Sequence, residues 1–479
     1  MIKINFEQIY YKLTNRNLDK NQLEAVYSEG NTLVLAGAGC GKSTTIIGKI
    51  IYLIKIKKIK PKDILVLSFT KETVKEMKEK LKELNMCVNV YTFHKLGLEI
   101  INNNYNIYNE SLTIYIKKYL LRNIKNKVYL NTLRRLLSMK KFDLNKAVSI
   151  FGKVINLLKT NDVPNNLTYK EKKLLSYINQ VYILYQKYLE RTNQIDFNDM
   201  INISTKKIIN KEYLHSYKYI IVDEFQDISL QRYKLLLELK NQKNYNLFCV
   251  GDDFQSIYQF AGSKVSIITN FEKYFGKTKI IKINRTYRFS NELANISSSF
   301  IMKNKNQISK KINSSKSISD PINQIKVNNK NINSKLEECI YNLSNKSSLI
   351  LLGRYTSDVN ILDKKIYKIE NNKIIYLKRI DLNIKFYTVH SSKGLEADNV
   401  IILNNLNDVY GFPSKVKSIS LINKLNYIEK NYLLEERRLY YVALTRTKNK
   451  VFLLTVNNKE SIFIKEITRL LKINKKNNT

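Results

Sequence analysis

The chain has 479 residues, with 82 Lys and Arg against 41 Asp and Glu, for a formal net charge of +41. That length allows two to four units with cores of their own, and the basic surplus points to a polyanionic partner, nucleic acid first, although Lys, Asn, Ile and Tyr are abundant together as in an AT-rich coding sequence. Four scattered cysteines (Cys40, Cys87, Cys249, Cys339) argue against a disulfide framework or zinc site, and apolar runs broken by Lys, such as 46–56, argue against a leader or membrane span, so an intracellular, membrane-free protein is expected.

In chain order, residues 18–26 predict a short amphipathic helix whose Gln22, just upstream of a glycine-rich loop, is placed to pair with an adenine edge. The loop follows. TLVLAGAGCGKSTT at 32–45 passes from an apolar strand through glycines 37, 39 and 41 to Lys42, Ser43 and a helix. This is a P-loop. Backbone amides of Ala38, Gly39, Cys40, Gly41 and Thr44 cradle phosphates, Lys42 reaches the β- and γ-phosphates, and Ser43 ligates Mg²⁺. Ala36 stands where the usual pattern has its first glycine, but the inner glycines remain. Only 13 glycines occur in the chain, and three fall within these five positions.

Buried strands at 64–69 and 88–93, separated by a Lys/Glu-rich helix, predict an α/β unit with a parallel sheet. Ligands bind such sheets at the strand ends, here at Phe69 and Thr92-Phe93-His94. Phe69 fits either a core position or a base-stacking one. Residues 104–198 lose this alternation and read as a helical insertion with a basic surface. No chemistry is assigned to IDFNDM at 195–200.

The α/β pattern resumes with YIIVDEFQD at 219–227. An apolar strand runs into two carboxylates, the Walker B arrangement, with Asp223 holding Mg²⁺ through water and Glu224 polarising the attacking water. A strand at 247–250 then leads into GDDFQSIYQFAG at 251–262. Gln255 is placed to sense the γ-phosphate, and Tyr258 and Phe260 to stack on single-stranded bases. Strand-like segments at 279–283, 349–352, 400–403 and 451–455 predict a second sheet, whereas 303–348 is read only as a helix and surface loops. Of fourteen arginines, Arg285, Arg288, Arg437, Arg438 and Arg446 cluster in two short segments. His94 and His390, two of the chain's three histidines, each follow a Thr (Thr92, Thr388) by two positions, a pairing suited to phosphodiester contacts.

Together these segments resemble the superfamily 1 DNA helicases of the UvrD/Rep type, and DEFQD and GDDFQSIYQFAG resemble the helicase IV branch. The resemblance spans nearly the whole chain. It implies two RecA-like P-loop motor domains with parallel sheets: 1A at 1–103 and 199–278, carrying the helical insertion 1B at 104–198, and 2A at 279–479. It also implies ATP and Mg²⁺ as cofactors, single-stranded and tailed duplex DNA as partners of a monomeric core, and 3′→5′ polarity. Within NRTYRFS (284–290), Tyr287 would stack on adenine and Arg288 touch the γ-phosphate. Within YTVHSSKGLE (387–396), Thr388 and His390 would grip the strand and Glu396 reach the nucleotide. Arg446 would be a second arginine finger, and Arg437 and Arg438 structural ion-pair partners.

Three departures stand out. Larger relatives insert a helical subdomain, 2B, between the segments matched by 349–352 and His390, but only about thirty-five residues lie there, so 2B is expected to be absent or reduced to a hairpin. Thr44 and Ala261 stand where UvrD-type members often carry Arg. Some helicase IV relatives displace RNA polymerase instead of unwinding DNA, using long arms; the short stretch before Gln22 speaks against that second reading here.

Overall fold

The computed structural model describes residues 2–102, 104–108, 110–328, 331–426 and 432–478. The first unit begins with β1 (Thr32–Ala36), β2 (Ile64–Ser68) and β3 (Asn89–Thr92). A two-residue ladder of β4 (Asn106–Ile107) on β5 (Gln194–Ile195) closes the base of the helical insertion. β6 (Tyr219–Val222), β7 (Asn246–Gly251) and β8 (Lys279–Ile283) complete a parallel sheet in the order β3-β2-β6-β7-β1-β8. β1 and β2 are buried along their whole length, which is why they read as unbroken apolar runs rather than alternating ones.

β8 corrects the expected domain boundary. The sequence reading gave 279–283 to the second sheet, but the strand lies parallel to β1, with Thr32 opposite Lys279 and Ala36 opposite Ile283. Its alternation, with Ile281 and Ile283 buried, suits an edge strand of either sheet. The crossover therefore comes after Ile283. The boundary expected at 103 falls outside the described residues, and the helix Phe197–Ile209 starts two residues before the expected junction at 199.

The second sheet comprises β9 (Ile322–Val327), β10 (Ser348–Gly353), β11 (Tyr367–Glu370), β12 (Lys373–Tyr376), β13 (Asn383–Thr388), β14 (Ala397–Ile402) and β15 (Thr447–Val456). Its order is β11-β12-β13-β10-β14-β15-β9, parallel except for the β11–β12–β13 meander. β9 lies in the stretch read as helix and loops, and it, not the last strand, forms the edge beyond β15. Between β10 and β13, where a second helical insertion would sit, the chain makes one 3₁₀ turn (Thr356–Ile361) and the β11–β12 hairpin.

The insertion in the first unit is helical, with helices Leu112–Asn123, Lys127–Leu136, Leu144–Thr160 and Tyr169–Arg191 around Ile116, Leu120, Phe151, Ile155 and Ile178. Its core is not self-contained. Leu421, Ile422 and Leu425, on a helix of the second unit (Ser420–Leu425), enter the same cluster. Lys424 Nζ reaches Glu171 Oε2 at 2.7 Å, and Asn161 Nδ2 donates to the carbonyl of Leu425 at 3.1 Å. Three apolar side chains and these polar contacts, with a further one from Lys424 Nζ to Asn166 O at 2.8 Å, thus dock the second unit onto the insertion. Leu425→Ala is expected to destabilise this contact by about 2–5 kcal/mol, read as a lower urea midpoint; an unchanged midpoint would refute the docking.

Candidate nucleotide and strand-binding site

The P-loop sits at the C-terminal end of β1, and the helix Lys42–Ile51 begins on its last glycine. Gly39 and Gly41 have φ of +73° and +77°, a region that disfavours side chains. A Cβ on Gly39 would stand 2.6 Å from Cβ of Arg288 and 2.7 Å from Oγ1 of Thr286. The loop's carbonyls are tied to the protein. Thr286 Oγ1 donates to Ala38 O at 2.8 Å, the Tyr287 amide to Gly39 O at 3.0 Å, and Gln22 Nε2 to Cys40 O at 3.3 Å. A peptide plane whose carbonyl is held on one side turns its amide to the other, so the Gly39 and Gly41 amides point away from these partners, while the Cys40 amide donates within the loop to Gly37 O at 3.2 Å. Ser43 and Thr44 follow in the first turn, half-buried.

Gln22 departs from expectation. It is 2% exposed and part of a capping box in which it accepts from the Asp19 amide at 3.0 Å while Asp19 accepts from the Gln22 amide at 2.9 Å. Both ends of its amide are therefore used within the chain, as helix cap and P-loop brace, rather than held out toward a base. The exposed aromatic beside it is Tyr287, 56% exposed, whose hydroxyl donates to Asp19 Oδ2 at 3.1 Å and whose ring lies under the Arg285 guanidinium.

At the end of β6, Glu224 adopts φ +51°, a strained value for a side-chain residue, and its carboxylate pairs with Lys42 and accepts from Gln226. Burial opposes charge on Lys42, but Glu224 and Asp223 outweigh it and raise its pKa. Burial, then the neighbouring Glu224, raises the pKa of Asp223; Glu224 is held low against burial by Lys42 and then Lys393. Among the described residues no group of three His, Cys, Asp or Glu side chains forms a metal cage. Asp223 with the Ser43 hydroxyl fits Mg²⁺, which takes one or two carboxylates and fills its remaining positions with phosphate and water.

The second unit reaches into this cleft. Arg446, 1% exposed, donates from Nη2 to Gln255 Oε1 at 3.0 Å, from Nη1 to Leu395 O at 3.3 Å and from Nε to Val442 O at 3.0 Å. Burial, then the charge of Arg288, lowers its pKa to about 9. Arg288 donates to Glu396 Oε2 at 2.8 Å and Thr445 O at 3.2 Å, so here the two groups expected at the nucleotide satisfy one another. Lys393, which the sequence reading passed over, reaches Asp227 Oδ2 at 2.6 Å and Gln255 O at 2.9 Å. Its signal was a lysine inside a segment already singled out. Arg437 pairs with Glu466, as expected, whereas Arg438 donates to Ser256 O at 2.6 Å and so holds the loop after β7.

The aromatic groups fall in two clusters. Tyr258 and Phe260 lie against His390 of the second unit: ring centroids of Phe260 and His390 are 5.2 Å apart, and the Tyr258 hydroxyl donates to His390 O at 3.1 Å. Phe260 is 57% exposed. Thr388 shares a hydrogen bond with Ser391 at 2.9 Å within the turn that carries His390. In the other cluster Phe69 packs on Phe93 beneath the Arg232 guanidinium, and His94 lies edge-on to Phe197 at 5.3 Å. Thr92 caps the helix Phe93–Ile101 by accepting from the Lys95 amide. Phe197, 57% exposed, is a stacking candidate the sequence reading missed inside IDFNDM, while Asp196 and Asp199 of that segment hold the buried Lys159. Burial lowers both imidazoles to about 4, so near neutrality His94 and His390 act as neutral hydrogen-bonding groups.

One carboxyl joins this side of the cleft to the second unit. Glu435 Oε1 accepts from the Gln259 amide at 3.1 Å, and burial raises its pKa from 4.5 to about 7 despite Arg438. Between those values the folded chain keeps a proton that the unfolded chain releases, so stability falls as pH rises from about 4.5 to about 7. Glu435→Gln keeps the acceptor and loses the titration. Its melting temperature should decline less than that of the unmodified chain between pH 5 and pH 8, and parallel pH profiles would refute the buried acid.

Comparison with known proteins agrees with this geometry. The UvrD/REP helicase N-terminal domain matches residues 18–276, and the UvrD-like helicase C-terminal domain matches 369–458. DNA helicase IV of Escherichia coli is 26% identical over 97% of this chain and 72% of its own length. ATP-dependent DNA helicase Rep of Buchnera aphidicola subsp. Schizaphis graminum is 31% identical over 85% of this chain, and DNA helicase II of Rickettsia typhi 32% over 62%. Those alignments take in 63% of the Rep protein and 47% of helicase II, so the chain spans about half to three quarters of these relatives. With a parallel sheet ending in a P-loop and both family domains in order along the chain, this protein belongs to the UvrD/Rep helicase family.

Proposed function

We propose that the chain is an ATP-dependent motor that moves 3′→5′ along single-stranded DNA and unwinds duplex ahead of it. The observation that carries this reading is the junction at Gln255: its side chain meets Arg446 and its carbonyl meets Lys393, both from the second unit. Lys42, Ser43, Asp223 and Glu224 would form one wall of the nucleotide site, and Arg288 and Arg446 the other. Tyr287 would stack on the base, and Glu396 would release Arg288 toward the γ-phosphate. Mg²⁺, held by Ser43 and Asp223, would neutralise charge on the β- and γ-phosphates. Glu224 would orient and polarise the attacking water, while Lys42 and the two guanidiniums stabilise charge on the transferring group. Because those cations come from opposite walls, turnover would require a closed cleft.

The same closure would move the strand-binding side. Tyr258 and Phe260 lie three and five positions beyond Gln255, and His390 three before Lys393. A shift at the phosphate end therefore reaches the aromatic end through very little chain. Alternating grip between Tyr258/Phe260 with Phe69, Thr92 and His94 on one unit and Thr388 with His390 on the other would give stepwise movement.

Lys42→Ala and Glu224→Gln are each expected to lower ATP turnover by at least about 10²-fold in a steady-state phosphate-release assay; near-normal turnover in either would refute the site. Tyr258→Ala with Phe260→Ala should leave basal ATPase in place and abolish its stimulation by single-stranded DNA. On duplexes with a 3′ or a 5′ tail, only the 3′-tailed substrate should open. If neither opened while DNA still stimulated ATPase, the chain would be a translocase and the unwinding claim would fall.

A further inference from the structure

A chain of buried polar side chains links Arg438, midway along the helix Leu433–Leu444, to Arg446, just past its C-terminus, through the loop after β7. Arg438 Nη1 donates to Gln307 Oε1 at 3.2 Å, and Gln307 Nε2 to Asp253 Oδ2 at 2.7 Å. Lys310 Nζ is ion-paired to both Asp253 and Asp252. Gln255 Nε2 donates to Asp252 Oδ2 at 2.6 Å, and Gln255 Oε1 accepts from Arg446 Nη2 at 3.0 Å. Every member is less than a tenth exposed, and the side chains of Lys310, Asp252 and Asp253 are wholly buried.

Gln307 and Lys310 come from a segment with no recognisable motif, more than fifty residues after the loop they hold. Two residues on, Ile312 packs so tightly over the P-loop that a Cβ on Gly37 would meet its Cδ1 at 2.6 Å. The chain of contacts has a direction. An amide such as Gln255 has one donor end and one acceptor end. The fixed carboxylate of Asp252 takes the donor end, which leaves the carbonyl oxygen facing the guanidinium. Released from Asp252, the amide could turn its NH₂ toward Arg446, a contact between two donors. Lys310 is the counter-ion beside Asp252 in this dry setting, and the two carboxylates hold Lys310 charged against the cost of burial.

Building on the motor reading above, we propose that Lys310 is a positioning residue for nucleotide turnover. By pairing with Asp252 and Asp253 it fixes Gln255 with its carbonyl oxygen toward Arg446, and so holds that guanidinium at the cleft. Lys310 does not itself touch the nucleotide. Its loss lowers the rate of turnover and leaves nucleotide affinity in place.

The test is steady-state ATPase with single-stranded DNA, alongside binding of a fluorescent ATP analogue. Lys310→Met is expected to lower kcat by about 10- to 100-fold, less than the about 10²–10³ typical of removing a transition-state donor itself, with KM and analogue affinity within about twofold. Lys310→Met/Asp253→Asn removes one charge of each sign, leaves the net charge of the buried trio unchanged, and should show the same loss; it decides the matter where the single variant does not fold. Gln255→Ala should lower kcat, and adding Lys310→Met to it should lower kcat no further, because both changes free the same guanidinium. Wild-type kcat in the charge-balanced variant, or losses that multiply in the Gln255→Ala background, would overturn the positioning role. Absence of ATPase in the unmodified chain would overturn the motor reading instead.

Discussion

Arg446 is a cation taken almost wholly out of water, and among the described residues it has no carboxylate against it. Its guanidinium is held by carbonyl oxygens of Leu395 and Val442 and the amide oxygen of Gln255. Oxygen dipoles satisfy its hydrogen bonds without cancelling its charge, and the field of Arg288 adds to it. A buried charge in this state is costly unless an anion is near. The cleft is therefore built around a demand for negative charge, which in the proposed reading a polyphosphate between the two units would supply. On the opposite wall Lys42 has its charge matched by Glu224. One wall pairs its lysine with a carboxylate, and the other pairs Arg288 with Glu396 but leaves Arg446 to oxygen dipoles.

From that asymmetry the remaining contacts across the units acquire a purpose. Lys393 and Arg438 hold the loop after β7 by its backbone, Lys393 also reaching Asp227 after β6, while Glu435 accepts from the Gln259 amide and Asn426 donates to the Gln259 carbonyl. These are short-range polar contacts on a loop that carries Gln255 at one end and Tyr258 and Phe260 at the other. The loop cannot follow one unit without pulling on the other. The helix Ser420–Leu425 extends the same linkage to the helical insertion, because the apolar face it presents is completed only by that insertion. Relative motion of the units must therefore repack this corner or carry the insertion along.

How much of this was legible beforehand depended on whether the chemistry was local. A P-loop, an acidic pair after a buried strand and a glutamine before two aromatics are contiguous patterns, and each sits at a strand end of the sheet as their order implied. Gln22 shows the limit of such reasoning. Its position beside the P-loop was read correctly, but not that a capping box and the Cys40 carbonyl would occupy its amide. Lys393 was in view and unassigned, since nothing local says which carboxylate a lysine will meet. Lys310 was invisible, because among 82 basic residues one buried lysine looks like its exposed neighbours.

The sequence by itself determined the six strands of the first sheet, β10, β14 and β15 of the second, the phosphate loop and the order of the chemical segments, because those depend on periodicity and on residues a few positions apart. Tertiary structure alone decided that β8 closes the first sheet, that β9 edges the second, and that Lys310 and Gln307 lie under the loop after β7. An edge strand's alternating pattern is satisfied by whichever sheet offers a free rim. A buried ion pair requires two segments distant in the chain to be brought out of water together. Both outcomes are set by packing between elements, and packing leaves no periodic trace along the chain.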